Sequence, residues 1–137
     1  MLSEEQLSSI HKDLDDLIDT INQLKTIFNG VLYLYENAKY SDIVPVLEVM
    51  YAQSKTGING LFRKYEALPD IPKMFYHDLV NTSFNITNAV YFFKDSILTY
   101  PIQVKRWCEL TGKIINESLK KVEELKRRLS DYFPPNP

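Results

Sequence analysis

Four carboxylates crowd the start of the chain, Asp13, Asp15, Asp16 and Asp19, and His11 precedes Asp15 by four residues. Carboxylates and imidazole within one or two helical turns are the donor set of a metal site. A di-iron helical bundle, however, requires a Glu-x-x-His pair on each of two helices, together with further glutamates. The chain has only His11 and His77, and neither follows a glutamate by three. The acids instead suit the beginning of a helix, where negative charge is favoured by the helix dipole. No metal or other cofactor is expected.

A second grouping is basic. Lys120, Lys121, Lys126, Arg127 and Arg128 cluster near the C-terminal end, with Lys113 close by and Lys105 and Arg106 further upstream. Such residues could neutralise a nucleic-acid backbone, and Trp107 beside Arg106 could stack on a base. The same segment places Glu109, Glu117, Glu123 and Glu124 each four residues before a base, the order that stabilises an exposed helix. The salt-bridged face is therefore the favoured reading and nucleic-acid binding the alternative. Trp107 falls near the apolar face and is read as core.

Other signatures carry less. Gly57-Ile58-Asn59-Gly60, flanked by Lys55, Arg63 and Lys64, superficially matches the GXXG loop with which KH domains clamp nucleotides, but those domains need a sheet. Asn81, Asn85 and Asn116 each begin an Asn-x-Ser/Thr sequon, which matters only in a secreted protein. Residues 1–16 are polar and acidic, without the apolar stretch of a secretory signal. Cys108 is the single cysteine, so an intrachain disulfide is excluded and a small buried hydrophobe is expected there. There is no phosphate-binding glycine loop, no G-x-S-x-G and no H-E-x-x-H, so the expectation is a protein without catalytic activity.

The elements that would position these residues are helices. Leu7, Ile10, Leu14, Leu17, Ile21, Leu24, Phe28, Val31 and Tyr35 alternate spacings of three and four, the mark of a long helix with one narrow apolar seam. Ser3 and Gln6 form a capping box, so this helix should begin near residue 4 and end near Asn37. A second helix, capped by Ser41 or Asp42, places Val44, Leu47, Tyr51, Ser54, Ile58, Leu61, Tyr65 and Leu68 on its seam. Gly57 and Gly60 could break it, although a continuous helix is favoured.

Pro69 to Pro72 is the clearest turn, because a residue before proline is pushed out of helical geometry. After it, Tyr76, Leu79, Ser83, Ile86, Val90, Phe93, Ile97 and Tyr100 define a third seam. Pro101 should end or kink that helix and open a fourth, carrying Val104, Cys108, Thr111, Ile115, Val122, Leu125 and Leu129. Ser54 and Ser83 at mid-seam should mark a narrow or hydrated layer. The fold class is all-α, a mostly antiparallel four-helix bundle with short connections. Residues 1–132 form the single domain and residues 133–137 a Pro-rich tail.

Composition agrees with a soluble globular domain. The 137 residues are 45% apolar and 25% charged, with a formal charge of −2. That leaves no global attraction to nucleic acid or anionic membrane, and no apolar run approaches the ~20 residues of a membrane span. A cytoplasmic location is the expectation.

Charge is distributed unevenly. From Leu79 to Phe93 the third helix has fifteen consecutive uncharged residues, between Asp78 and Lys94. Opposite its seam, where lysine and glutamate would normally meet water, stand Asn81, Phe84, Asn85, Asn88 and Phe92. Depletion of charge with enrichment of aromatic residues marks the core of a protein interface. These five residues are the candidate partner-binding face, for a second copy or a different protein.

Overall fold

The computed structural model describes residues 3–37, 40–67, 71–99 and 103–133. Four long helices follow one another: α1 (Glu4–Glu36), α2 (Tyr40–Glu66), α3 (Lys73–Thr99) and α4 (Val104–Arg127), with a single further turn, α5 (Leu129–Tyr132). Among the described residues there are no strands. α1 packs on α2 and α4, and α3 packs on the same two, so the helices form a closed square of neighbours.

α1 begins and ends for local reasons. The Ser3 hydroxyl accepts the Gln6 amide at 3.1 Å, and the Ser3 amide donates to Gln6 Oε1 at 2.8 Å, which satisfies two orphan donors at the start of α1. Asn37 closes the other end by donating its side-chain amide to the Tyr33 carbonyl at 2.8 Å. α2 starts at Tyr40, ahead of the expected caps Ser41 and Asp42, which puts Pro45 one turn inside the helix. α2 then runs unbroken through Gly57 and Gly60.

Opposite-charge and phenol contacts fix the antiparallel order. Near the start of α1, Asp13 receives Lys64 at 2.7 Å from the end of α2, and Asp15 receives Lys126 at 2.6 Å from the end of α4. The basic end of the last long helix thus lies beside the acidic start of the first. At the start of α3, Asp78 accepts the Tyr132 hydroxyl at 2.8 Å. Near the other end of the bundle, Lys94 of α3 reaches Glu48 of α2 at 3.0 Å.

The α1 seam is buried from Ile10 to Val31 without exception. Two seams differ from the sequence reading. Val44 is 42% exposed, whereas Ile43 and Met50 are buried. The buried row of α2, Ile43, Leu47, Met50, Ser54, Ile58 and Tyr65, keeps the spacing of threes and fours but runs one position earlier at Ile43 and Met50, with Val46, Tyr51 and Leu61 half-buried beside it. On α3 the buried set adds Phe75, Thr82, Ala89 and Ser96, a second row seven residues apart beside the expected seam. The expected positions Leu68, Tyr100 and Pro101 lie outside the described residues.

Ser54 and Ser83 are both buried, and each donates at 2.8 Å to a carbonyl of its own helix, Tyr51 and Leu79 respectively. Their hydroxyls are satisfied without water, as buried polar groups must be. At the lower end, Phe75 is ringed edge-on by Tyr65 at 6.0 Å, Tyr132 at 5.6 Å and Phe133 at 5.3 Å. Phe133, assigned from sequence to the tail, therefore contributes a ring to the core. Residues 134–137 lie outside the described residues.

Candidate functional site

All five residues of the candidate face are exposed on α3. Phe92 is 62% and Phe84 54% exposed, large fractions for residues that usually avoid water. Tyr91, 50% exposed, packs its ring against Phe92 at 5.9 Å, and Leu110 on α4 is 45% exposed. The aromatic character is therefore broader than the five residues suggest. Tyr91 was legible within the uncharged run; Leu110 could have been found as an apolar residue off the α4 seam.

Beside this face runs a groove between α3 and α4 of about 540 Å³. Asn81, Asn85, Asn88 and Phe92 form one wall, Trp107, Leu110 and Ile114 the other, and Ala89 and Phe93 contribute to its base. Asp78 and Lys121 stand towards its lower end, where Thr82 donates its hydroxyl to the Asp78 carbonyl at 2.8 Å. The Asn81 amide lies 3.3 Å from His77 Nε2. Asn85 and Asn88 make no hydrogen bond to the rest of the chain among the described residues, which leaves two carboxamides able both to donate and to accept. The groove wall can thus hydrogen-bond a neutral polar group while its aromatic rings cover apolar surface.

Trp107 is half-buried and packs against the core, as its position near the apolar face implied. Its indole N–H is buried with no hydrogen-bond partner among the described residues, as is the Thr87 hydroxyl. An unpaired buried donor carries the full cost of its lost hydration, about 1–3 kcal/mol.

The basic residues do not converge to the same degree. Lys105 and Arg106 sit at the start of α4 and Arg127 at its end, roughly 33 Å apart at helical rise. Lys126 is held by Asp15, Arg127 reaches Glu124 at 4.0 Å, and Arg128 meets Glu124 at 3.8 Å and Asp131 at 3.2 Å. Lys120 and Lys121 are exposed. Of the anticipated four-residue pairs, Glu124 to Arg128 is formed, whereas Lys113 pairs forward with Glu117 at 3.9 Å.

The acidic start of α1 likewise diverges. Asp13 turns to α2, Asp15 to α4, and Asp16 pairs with Lys12 at 3.0 Å on the surface. No group of three metal-ligating side chains converges among the described residues. No described helix is long and apolar enough to cross a membrane. No family model, curated protein or solved structure matches the chain.

Proposed function

We propose that this bundle is a non-enzymatic interaction module that docks through the outer face of α3 and the groove it shares with α4. The observation that carries this reading is the pair of solvent-exposed rings, Phe92 and Tyr91, in fifteen residues without a charge, on a chain that is 25% charged overall. Scattered apolar surface residues are ordinary; a contiguous aromatic patch free of charge is the composition of an interface core.

The test is site-specific photo-crosslinking in cells, with the reactive side chain at Asn88 and, as control, at Lys120 on the charged face. The reading expects protein adducts at position 88 well above the control. Equal or absent adducts at both positions sink it. A companion variant, Phe84→Asp with Phe92→Asp, should keep full helicity; unfolding would mean both rings are needed by the bundle itself.

The groove supports a second reading. Its volume falls within the range of small-molecule pockets, and its walls combine aromatic rings with a few polar groups. A copurified apolar ligand seen by native mass spectrometry, displaced in Phe92→Asp, would favour this over protein docking.

A further inference from the structure

We infer that the partner of the α3 face is a second copy of this chain, docked antiparallel about a two-fold axis at Asn88; this rests on the docking reading and names its occupant. Docking to a partner of defined charge gains rate and specificity from complementary charge, yet this face carries none from Leu79 to Phe93. A two-fold face is the case in which charge is a liability, because a charge near the axis meets itself. A carboxamide is the opposite case: it donates and accepts, so it can pair with its own copy.

The positions along α3 fit this arrangement. Asn88 stands midway between Phe84 and Phe92, so in an antiparallel pair Phe92 faces Phe84 of the second copy, twice. Asn85 faces Tyr91 of the second copy, and Asn81 faces Asp95. In that register none of the charged residues of α3, Lys73, Asp78, Lys94 and Asp95, is set opposite another charge. All of the outward positions the pairing uses, from Asn81 through Asp95, are exposed.

The area sets the strength. Fifteen helical residues span about 22 Å, and two helices side by side are roughly 20 Å wide, so the face covers on the order of 440 Å². That is about half of what a standard interface buries per partner, so the dimer should be weak and concentration-dependent, with dissociation in the micromolar range or above.

The experiment is sedimentation equilibrium on the full chain and on Asn88→Lys and Asn88→Glu, alone and mixed, with circular dichroism to verify the fold of each. The wild-type mass should rise from 16.0 kDa towards twice that value as concentration increases. Each variant alone should self-associate at least about tenfold more weakly, since it sets like charges together on the axis, and the equimolar mixture should recover dimers. A wild-type chain that stays monomeric, variants that dimerise like wild type, or a mixture that fails to recover would each overturn the proposal. Adducts at position 88 to proteins of other masses, alongside a monomeric wild type, would leave the docking reading standing without the second copy. A monomer with no adducts would end both.

Discussion

Gly112 of α4 lies against the ring of Phe28 on α1: a Cβ added at Gly112 would meet Phe28 Cε1 at 3.1 Å and Cζ at 3.3 Å. Phe28 has little freedom to yield, because it is buried and its ring stands 5.3 Å from that of Phe93 on α3. The missing side chain is thus what allows α1 and α4 to approach at the level where three helices share their aromatic core.

Gly30 of α1 and Gly112 of α4 should therefore respond to alanine with opposite signs. Among the described residues nothing lies within 4 Å of a Cβ built at Gly30, so Gly30→Ala keeps only the gain in helix propensity and should stabilise by about 0.5–1 kcal/mol. Gly112→Ala gains the same propensity but must displace Phe28, and overpacking of this kind costs about 1–3 kcal/mol. Urea unfolding should show a higher midpoint for the first and a lower one for the second. A stabilising Gly112→Ala would mean that the Phe28 ring moves freely.

At the lower end of the bundle, the buried Tyr65 donates its hydroxyl to Asp13 at 2.8 Å, and Lys64 reaches the same carboxylate oxygen at 2.7 Å. The two contacts look alike but differ in burial, since Tyr65 is 2% exposed and the Lys64 side chain 46%. Hydrogen bonds to a charged group contribute about 1.5–3 kcal/mol, and exposed ion pairs contribute about 1 kcal/mol or less. Tyr65→Phe, which keeps the ring against Phe75, should accordingly cost more stability than Lys64→Met. The reverse order in chemical denaturation would contradict this ranking.

The bundle should also weaken in alkali through groups that hold their protons more tightly when folded. Burial, then Glu109 and Glu36, push the Cys108 thiol from 9.0 to about 11. Burial, then the bond to Asp13, raise the Tyr65 phenol above its ordinary 10.0. A raised acid contributes stability that is complete below its unfolded value and lost as pH climbs towards its folded one. Stability should hold to about pH 9 and then fall, by roughly 3 kcal/mol at most from the thiol alone. Cys108→Ala should flatten the decline between about pH 9 and 10, leaving the tyrosine part above it, as followed by thermal unfolding across that range.

Much of this arrangement could be read from residue spacing, and the reasons it sometimes could not are physical. α1 was legible because its seam residues keep to one row, from Ile10 to Val31, and every one of them is buried, with Ile18 and Ile27 half-buried beside it. Ile43 and Met50 were missed because α2 carries adjacent apolar pairs at Ile43-Val44 and Met50-Tyr51, so two seams one position apart fit the same spacing. The absence of charge over Leu79 to Phe93 pointed to the exposed α3 face directly. Which helix would supply the opposite wall was not legible: the groove depends on α4 lying beside α3, and the outward position of Leu110 acquires meaning only once that pairing is known.

Trp107 connects the stability of the bundle with its docking face. Its ring lines the groove and packs on the core, while its indole N–H is buried without an acceptor among the described residues. Trp107→Phe keeps an aromatic ring and removes the unpaired donor, so the lost area and the relieved desolvation should offset to within about 1 kcal/mol. Trp107→Ala removes the ring as well and should cost clearly more, about 2 kcal/mol or above for a ring that is only half-buried. Because Trp107 is the single tryptophan, its fluorescence reports on the groove alone. If second copies cover this face, the emission should shift with protein concentration in step with the mass, and Asn88→Lys should abolish that shift without changing the spectrum of the dilute protein. An emission independent of concentration while the mass doubles would place the contact on some other face of the bundle.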